Sequence, residues 1–206
     1  YKRTNPYLYS VYGLGLWTQK ETGGNVWKEF NKGVHIKPQP YNPDVALHLS
    51  FDENVNPYLS VSIWQLYNKK ACCIGEIAAK NPNNTISAVC RMIEAKYPGH
   101  KSGMFVYGDA TSKKQDVKIE KGMDFFKLIG NNLTKYNPSF RVPESNPSVV
   151  MSINFINQIF GFNFNGLEIE IDNNCVNFIQ DLSFAKEAPD GTIFKQKVKD
   201  DETGVS

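Results

Sequence analysis

Val45-Ala46-Leu47-His48-Leu49-Ser50-Phe51-Asp52-Glu53-Asn54-Val55-Asn56-Pro57-Tyr58 is the stretch on which the fold turns. Leu47, Leu49 and Phe51 alternate with polar residues, a period of two that places all three on one face of a strand. Asp52-Glu53-Asn54-Val55-Asn56-Pro57 is turn chemistry: Asp and Asn side chains bond their own backbone, and Pro cannot donate to a ladder. Residues 58–67 repeat the alternation with Leu59, Val61 and Ile63, while Tyr58, Trp64 and Leu66 add bulk. Asn68-Lys69-Lys70 turns the chain into a third strand at 71–78. Connections this short join antiparallel neighbours, so the three strands are expected to form a meander.

Downstream the period changes from two to 3.6. A helix carries Ile86, Val89, Met92, Ile93 and Tyr97 on one stripe, capped by Asn83 or Asn84 and ended by Pro98-Gly99. Met104-Phe105-Val106-Tyr107 then runs into Gly108-Asp109. A strand entered through a helical crossover runs parallel to the strand it joins. A helix at 123–133, a short strand at 139–142 and a helix opened by Pro147 follow. Next come an extended run at 167–171, a helix at 175–184 and, after Pro189-Asp190-Gly191, one arm of a hairpin at 192–198. Three antiparallel strands followed by parallel ones make an α/β domain with a mixed sheet flanked by helices, the element order of an RNase H-like fold.

Upstream, residues 1–44 read as an aromatic N-terminal arm or linker. Tyr7, Tyr9, Tyr12, Trp17 and Trp27 punctuate it; Gly13, Gly15, Gly23 and Gly24 interrupt it; a short helix is expected around 25–31. Pro38, Pro40 and Pro43 stiffen the connector to a domain at 45–206. The start at Tyr1 without Met and the end at Ser206 predict a segment of a longer protein, with the domain truncated at its C-terminus.

Composition narrows the function classes. At 206 residues and 41% hydrophobic content the chain has material for a core. Lys and Arg number 23 against 21 Asp and Glu, which excludes a strongly basic coat; a local basic patch still suffices for nucleic acid. No apolar run is long enough to span a bilayer and no signal peptide is present, so a cytoplasmic location is expected. Cys72, Cys73, Cys90 and Cys175 stand at no zinc-ligand spacing from His35, His48 or His100, and are read as reduced, buried thiols. Phosphate-loop, nucleophile-elbow and Cys–His signatures are absent.

What remains is carboxylate chemistry. Asp52 and Asp109 each follow a buried-type strand, where a rigid backbone can hold an acid in a shared cleft. Carboxylates of this kind hold Mg²⁺ or Mn²⁺, and a metal pair can activate water and steady the leaving oxygen in phosphodiester cleavage. Either Asp is equally well read as a turn residue. Glu76, amid Ile74-Gly75 and Ile77, is a possible supporting acid in the same cleft, or it lies on a solvent face. Lys113 and Lys114 are possible phosphate contacts, or part of a solvated loop. Asp200-Asp201-Glu202 is a possible third metal ligand, though more simply a hairpin turn. Trp17, Trp27 and Trp64 are read as packing anchors more than base-stacking platforms.

His48-Leu49-Ser50-Phe51-Asp52-Glu53-Asn54-Val55-Asn56-Pro57-Tyr58 resembles the first catalytic motif of the nuclease domain of phage terminase large subunits. Tyr107-Gly108-Asp109-Ala110-Thr111-Ser112 resembles the second, and Ser145-Asn146-Pro147-Ser148-Val149 with Leu167-Glu168-Ile169 and Cys175 resembles the segment that follows. Asn5-Pro6-Tyr7 and Tyr12-Gly13-Leu14-Gly15-Leu16-Trp17 are similar to that family's linker after its ATPase domain. The resemblance implies an endonuclease domain that cuts concatemeric double-stranded viral DNA during genome packaging with two divalent cations, Mg²⁺ or Mn²⁺. Asp52 and Asp109 would be the first and second metal-binding acids. It further implies, in a full-length protein, an ATPase domain, a small terminase subunit and a portal as partners, in the cytoplasm of a bacterial host. The family's third acid lies in a Gly-His-x-x-Asp-Ala-like helix; that motif does not occur here, and the third ligand is expected beyond Ser206. Two alternatives stay open: a non-catalytic RNase H-like module that binds DNA or a portal, and another RNase H-like nuclease of the transposase or resolvase type.

Overall fold

Leu47–Asp52 (β1), Leu59–Tyr67 (β2) and Lys70–Ala79 (β3) form the antiparallel meander that their alternation predicts, with Leu49 opposite Ile63 and Val61 opposite Ile77. Met104–Tyr107 (β4) then pairs parallel to β1, and Ser139–Phe140 (β5) parallel to β4. Glu168–Ile171 (β6) pairs parallel to β3 at the opposite edge. The six-stranded order is β5-β4-β1-β2-β3-β6, an RNase H-like mixed sheet. The computed structural model describes residues 24–53, 58–113 and 124–194. Tyr7, Tyr9, Tyr12, Trp17, the 54–57 part of the first turn, Lys114, residues 195–198 of the expected hairpin arm and the Asp200-Asp201-Glu202 cluster lie outside the described residues.

Consecutive strand residues point to opposite faces, and the two cores follow from that. One face carries Leu47, Leu49, Phe51, Val61, Ile63 and Val106 under helices Ile86–Lys96 and Phe125–Asn132. The other, toward β3 and β6, gathers Cys73, Ile169 and Ile171 with Ile159, Phe160 and Leu182 from helices Val149–Phe160 and Val176–Phe184. Cys72 belongs to the first core and its neighbour Cys73 to the second. All four cysteines are free and buried. Among the described residues the α-helices are, in chain order, α1 (Lys32–His35), α2 (Ile86–Lys96), α3 (Phe125–Asn132), α4 (Val149–Phe160) and α5 (Val176–Phe184). None of the described helices is long and apolar enough to cross a membrane.

Two local expectations are corrected. Thr85, not Asn83 or Asn84, caps α2: its backbone is extended and its side chain accepts from Ala88 N–H. Among the described residues the first short helix is α1, not 25–31. Asn25 instead accepts from Trp27 N–H and donates to the Ser183 carbonyl, which holds that stretch irregular, while Asn31 caps α1 by accepting from Gly33 N–H. Trp27 and Phe30 pack on the second core, and Trp64 meets Phe178 edge to face. Beyond Pro189-Asp190-Gly191, Ile193 pairs antiparallel with Glu187.

Buried polar side chains hold the connector in place. Gln65 is fully buried; its amide accepts from Asn42 N–H at 2.9 Å and donates to the Asn42 and Val45 carbonyls at 2.6 and 2.7 Å. Glu170, also buried, accepts from Lys37, Lys70 and Gln39 at 2.7–2.9 Å. Burial opposes its ionisation, but those three donors outweigh it and hold the carboxyl at about 2. An acid depressed in the folded state stabilises above its unfolded value and loses that contribution as pH falls through the folded one.

Two outcomes are expected in urea denaturation. Gln65→Leu, which fills the space but strands three backbone groups, should cost about 2–3 kcal/mol; a cost near zero contradicts the bonding described. Wild type should exceed Glu170→Gln in stability above about pH 4.5, with the gap closing toward about pH 2. A gap independent of pH would exclude Glu170 as an ionised anchor.

Candidate functional site

Ser50 of β1 and Tyr107 of β4 are register partners in parallel strands. Two residues further along each strand stand Asp52, the last residue of β1, and Asp109, just past β4. Both acids therefore leave neighbouring parallel strands at the same end of the sheet, while the cleft lined by Asp52 is not lined by Asp109. Gly108 between them has a steric reason: a Cβ there would lie 2.9 Å from the Phe126 ring and 3.3 Å from the Phe51 carbonyl. Only glycine lets β4 run this close to β1 and α3.

Asp109 has the local bonding of a turn residue. Its Oδ1 accepts from Thr111 N–H at 2.7 Å and from the Thr111 hydroxyl at 2.6 Å, and its carbonyl from Ser112 N–H at 3.1 Å. These bonds open a 3-10 turn at Ala110–Lys113. Asn146 adds a third donor to Oδ1, its Nδ2 at 2.6 Å. The Asn146 and Thr111 donors hold the carboxyl below the usual range against the opposing effect of burial. Asp109 is exposed, and Oδ2 receives no donor among the described residues. The turn role and a ligating role are therefore compatible: the bonds from described residues all go to Oδ1. Lys113 ends the 3-10 turn, while Lys114 lies outside the described residues.

Asp52 lines a cleft of about 240 Å³ with Tyr58, Ser60, Ser62, Glu76 and Asp181. Glu76 thus faces the cleft, but its carboxylate is engaged. Oε1 accepts from Asn177 N–H at 2.9 Å and from Asn177 Nδ2 at 2.8 Å; Oε2 accepts from Phe178 N–H at 2.8 Å. Those amides belong to the first turn of α5, where Cys175 supplies no side-chain cap. A carboxylate there satisfies orphan donors and faces the positive end of the helix dipole.

Asp181 is an acid that sequence reasoning missed. It sits on α5, and its carboxyl is pushed up by burial first and then by the charges of Glu76 and Asp52; a hydrogen bond with Tyr58 opposes the rise. The signal available was slight: Asp181 follows Phe178 by three residues and precedes buried Leu182, which puts it beside the inner stripe of α5. Among the described residues no three carboxylate, imidazole or thiolate groups form a complete metal cage. The donor set nevertheless suits a hard divalent cation. It is all oxygen, and Asp181 experiences an anionic crowding that a cation would relieve.

No protein-family model matches the chain, and no curated protein matches it in sequence. Solved structures do match in fold. The large terminase of a thermophilic bacteriophage, solved in complex with ADP, superposes with a TM-score of 0.60 at 16% identity, over 89% of this chain and 43% of that one. The P22 large terminase nuclease domain superposes with a TM-score of 0.58 at 12% identity, over 87% of both chains. This chain therefore spans less than half the length of the thermophilic phage protein and nearly all of the P22 domain. The shared property is the fold: a mixed, RNase H-like sheet flanked by helices.

Asp181→Asn should raise the melting temperature near neutral pH in the absence of divalent cations, because it removes one of the crowded charges. An acid whose folded value is raised penalises folding once ionised, so the advantage should fade on acidification. A melting temperature unchanged at every pH would show that Asp181 does not interact with Glu76 and Asp52.

Proposed function

We propose that this chain is the metal-dependent endonuclease domain of a phage terminase large subunit, cutting concatemeric double-stranded viral DNA during genome packaging. The observation that carries the reading is that Asp52 and Asp109 stand at the same ends of adjacent parallel strands of an RNase H-like sheet. The motif resemblance at those same two residues, and the fold shared with the P22 nuclease domain, support it.

In this reading Asp52 and Asp109 hold the divalent cations, Mg²⁺ or Mn²⁺, through carboxylate oxygens. When bound, such ions activate water and neutralise charge developing on a phosphodiester. The protein's own share is orientation. β1 fixes Asp52 and the Ala110–Lys113 turn fixes Asp109. Glu76 holds α5 against the cleft, so that Asp181 faces Asp52. Asp181 is the described acid placed to add an oxygen or to carry a proton, its carboxyl being raised. Lys113 and Lys114 are assigned to phosphate. The domain boundary falls near residue 44, with 1–44 as linker from an ATPase domain. The small subunit, the portal and the host cytoplasm complete the setting of the full-length protein.

A second reading, a non-catalytic module that binds DNA or a portal, is favoured by one observation: the described residues hold no complete three-ligand cage. Plasmid cleavage with added Mn²⁺ or Mg²⁺ separates the two. Cutting by the full-length protein, abolished by Asp52→Asn and by Asp109→Asn, is expected. Undiminished cutting by both variants would sink the assignment of the acids. Retarded but uncut plasmid with either metal would favour the binding module.

A further inference from the structure

Asn146 is absorbed by none of the roles above. It lies in the loop between β5 and α4, immediately before Pro147, and reaches back across 37 residues of sequence to the loop after β4. Its side chain makes two bonds there. The amide oxygen accepts from Ala110 N–H at 2.8 Å, and Nδ2 donates to Asp109 Oδ1 at 2.6 Å. The amide orientation is fixed by chemistry. A backbone N–H needs an acceptor and a carboxylate needs a donor, so only one of the two amide flips satisfies both neighbours.

We propose that Asn146 is the positioning residue of Asp109: it pins the carboxylate through Oδ1 and leaves Oδ2 for the metal. The proposal rests on the endonuclease reading. Thr111 alone would hold Asp109 only within its own loop, because both its bonds to Oδ1 come from two residues away. Asn146 ties that loop to a separate element, the chain leading into α4, whose far end is anchored: Asn157 donates to the Val26 carbonyl and accepts from Glu29 N–H. The orientation of Asp109 is thus set from outside its turn, as for the outer partners that orient metal-ligating carboxylates elsewhere. A serine or alanine at 146 cannot span the same gap with both a donor and an acceptor.

The test is Mn²⁺ binding followed by electron paramagnetic resonance, with DNA cleavage as a second readout, on wild type, Asn146→Ala, Asn146→Ser and Asp109→Asn. Both Asn146 variants should bind Mn²⁺ roughly 10-fold more weakly. Their Mn²⁺ requirement for cleavage should rise by a similar factor, while KM for DNA stays close to wild type. Changes in backbone amide resonances should be confined to residues 109–112 and 144–148. Mn²⁺ binding weakened by Asp109→Asn but unchanged in both Asn146 variants would overturn this role and leave the endonuclease reading standing. Mn²⁺ binding unchanged by Asp109→Asn would overturn both. A general loss of amide dispersion in Asn146→Ala and Asn146→Ser alike would make Asn146 a folding residue, which also overturns the proposal.

Discussion

The parallel pairing of β1 with β4 is the constraint on which the rest of the molecule depends. It is made across a long stretch of intervening sequence, so its closure entropy is met only when α2 and α3 bury the inner faces of both strands. Leu49 and Val106 are register partners within that buried face. The same alternation turns His48, Ser50 and Asp52 of β1 and Phe105 and Tyr107 of β4 to the opposite face. Core and site are therefore two sides of one decision. A slip of one residue in β1 would exchange its two faces and bury Asp52.

The second organising element is α5. It packs on the β3 and β6 end through Leu182, Phe178 and Ile179, and its first turn is closed by a carboxylate 101 residues away in sequence. Glu76 thereby fixes the wall of the cleft that faces Asp52. The cost is electrostatic: three carboxylates share the space, and Asp181 carries the consequence as a raised carboxyl. Crowded, partly desolvated acids are what a fold tolerates at a functional site and avoids elsewhere. Glu170 is the contrast. Lys37, Lys70 and Gln39 compensate it fully, it faces no cleft acid, and it reads as a structural anchor between the connector and the sheet edge.

Much of the scaffold was legible because it is local. Alternation at Leu47, Leu49 and Phe51, the helical stripe from Ile86 to Tyr97, and the strand-end positions of Asp52 and Asp109 all depend on spacings of a few residues. The errors were local too, and small: three adjacent residues, Asn83, Asn84 and Thr85, could each cap α2, and backbone geometry chose the third. The double identity of Asp109 was visible as an ambiguity between turn and ligand. The structure shows the turn bonding: Thr111 and Asn146 both donate to Oδ1.

The sequence by itself determined the alternating strands, the helices and the two aspartates at strand ends, since periodicity and turn chemistry act between near neighbours. Only the tertiary structure decided that β6 joins the β3 edge, that Glu76 caps α5, that Asp181 faces Asp52, and that Asn146 grips Asp109. Each of those is a contact between residues far apart in the chain. It exists because the burial of two hydrophobic faces brings together polar groups that no spacing rule connects.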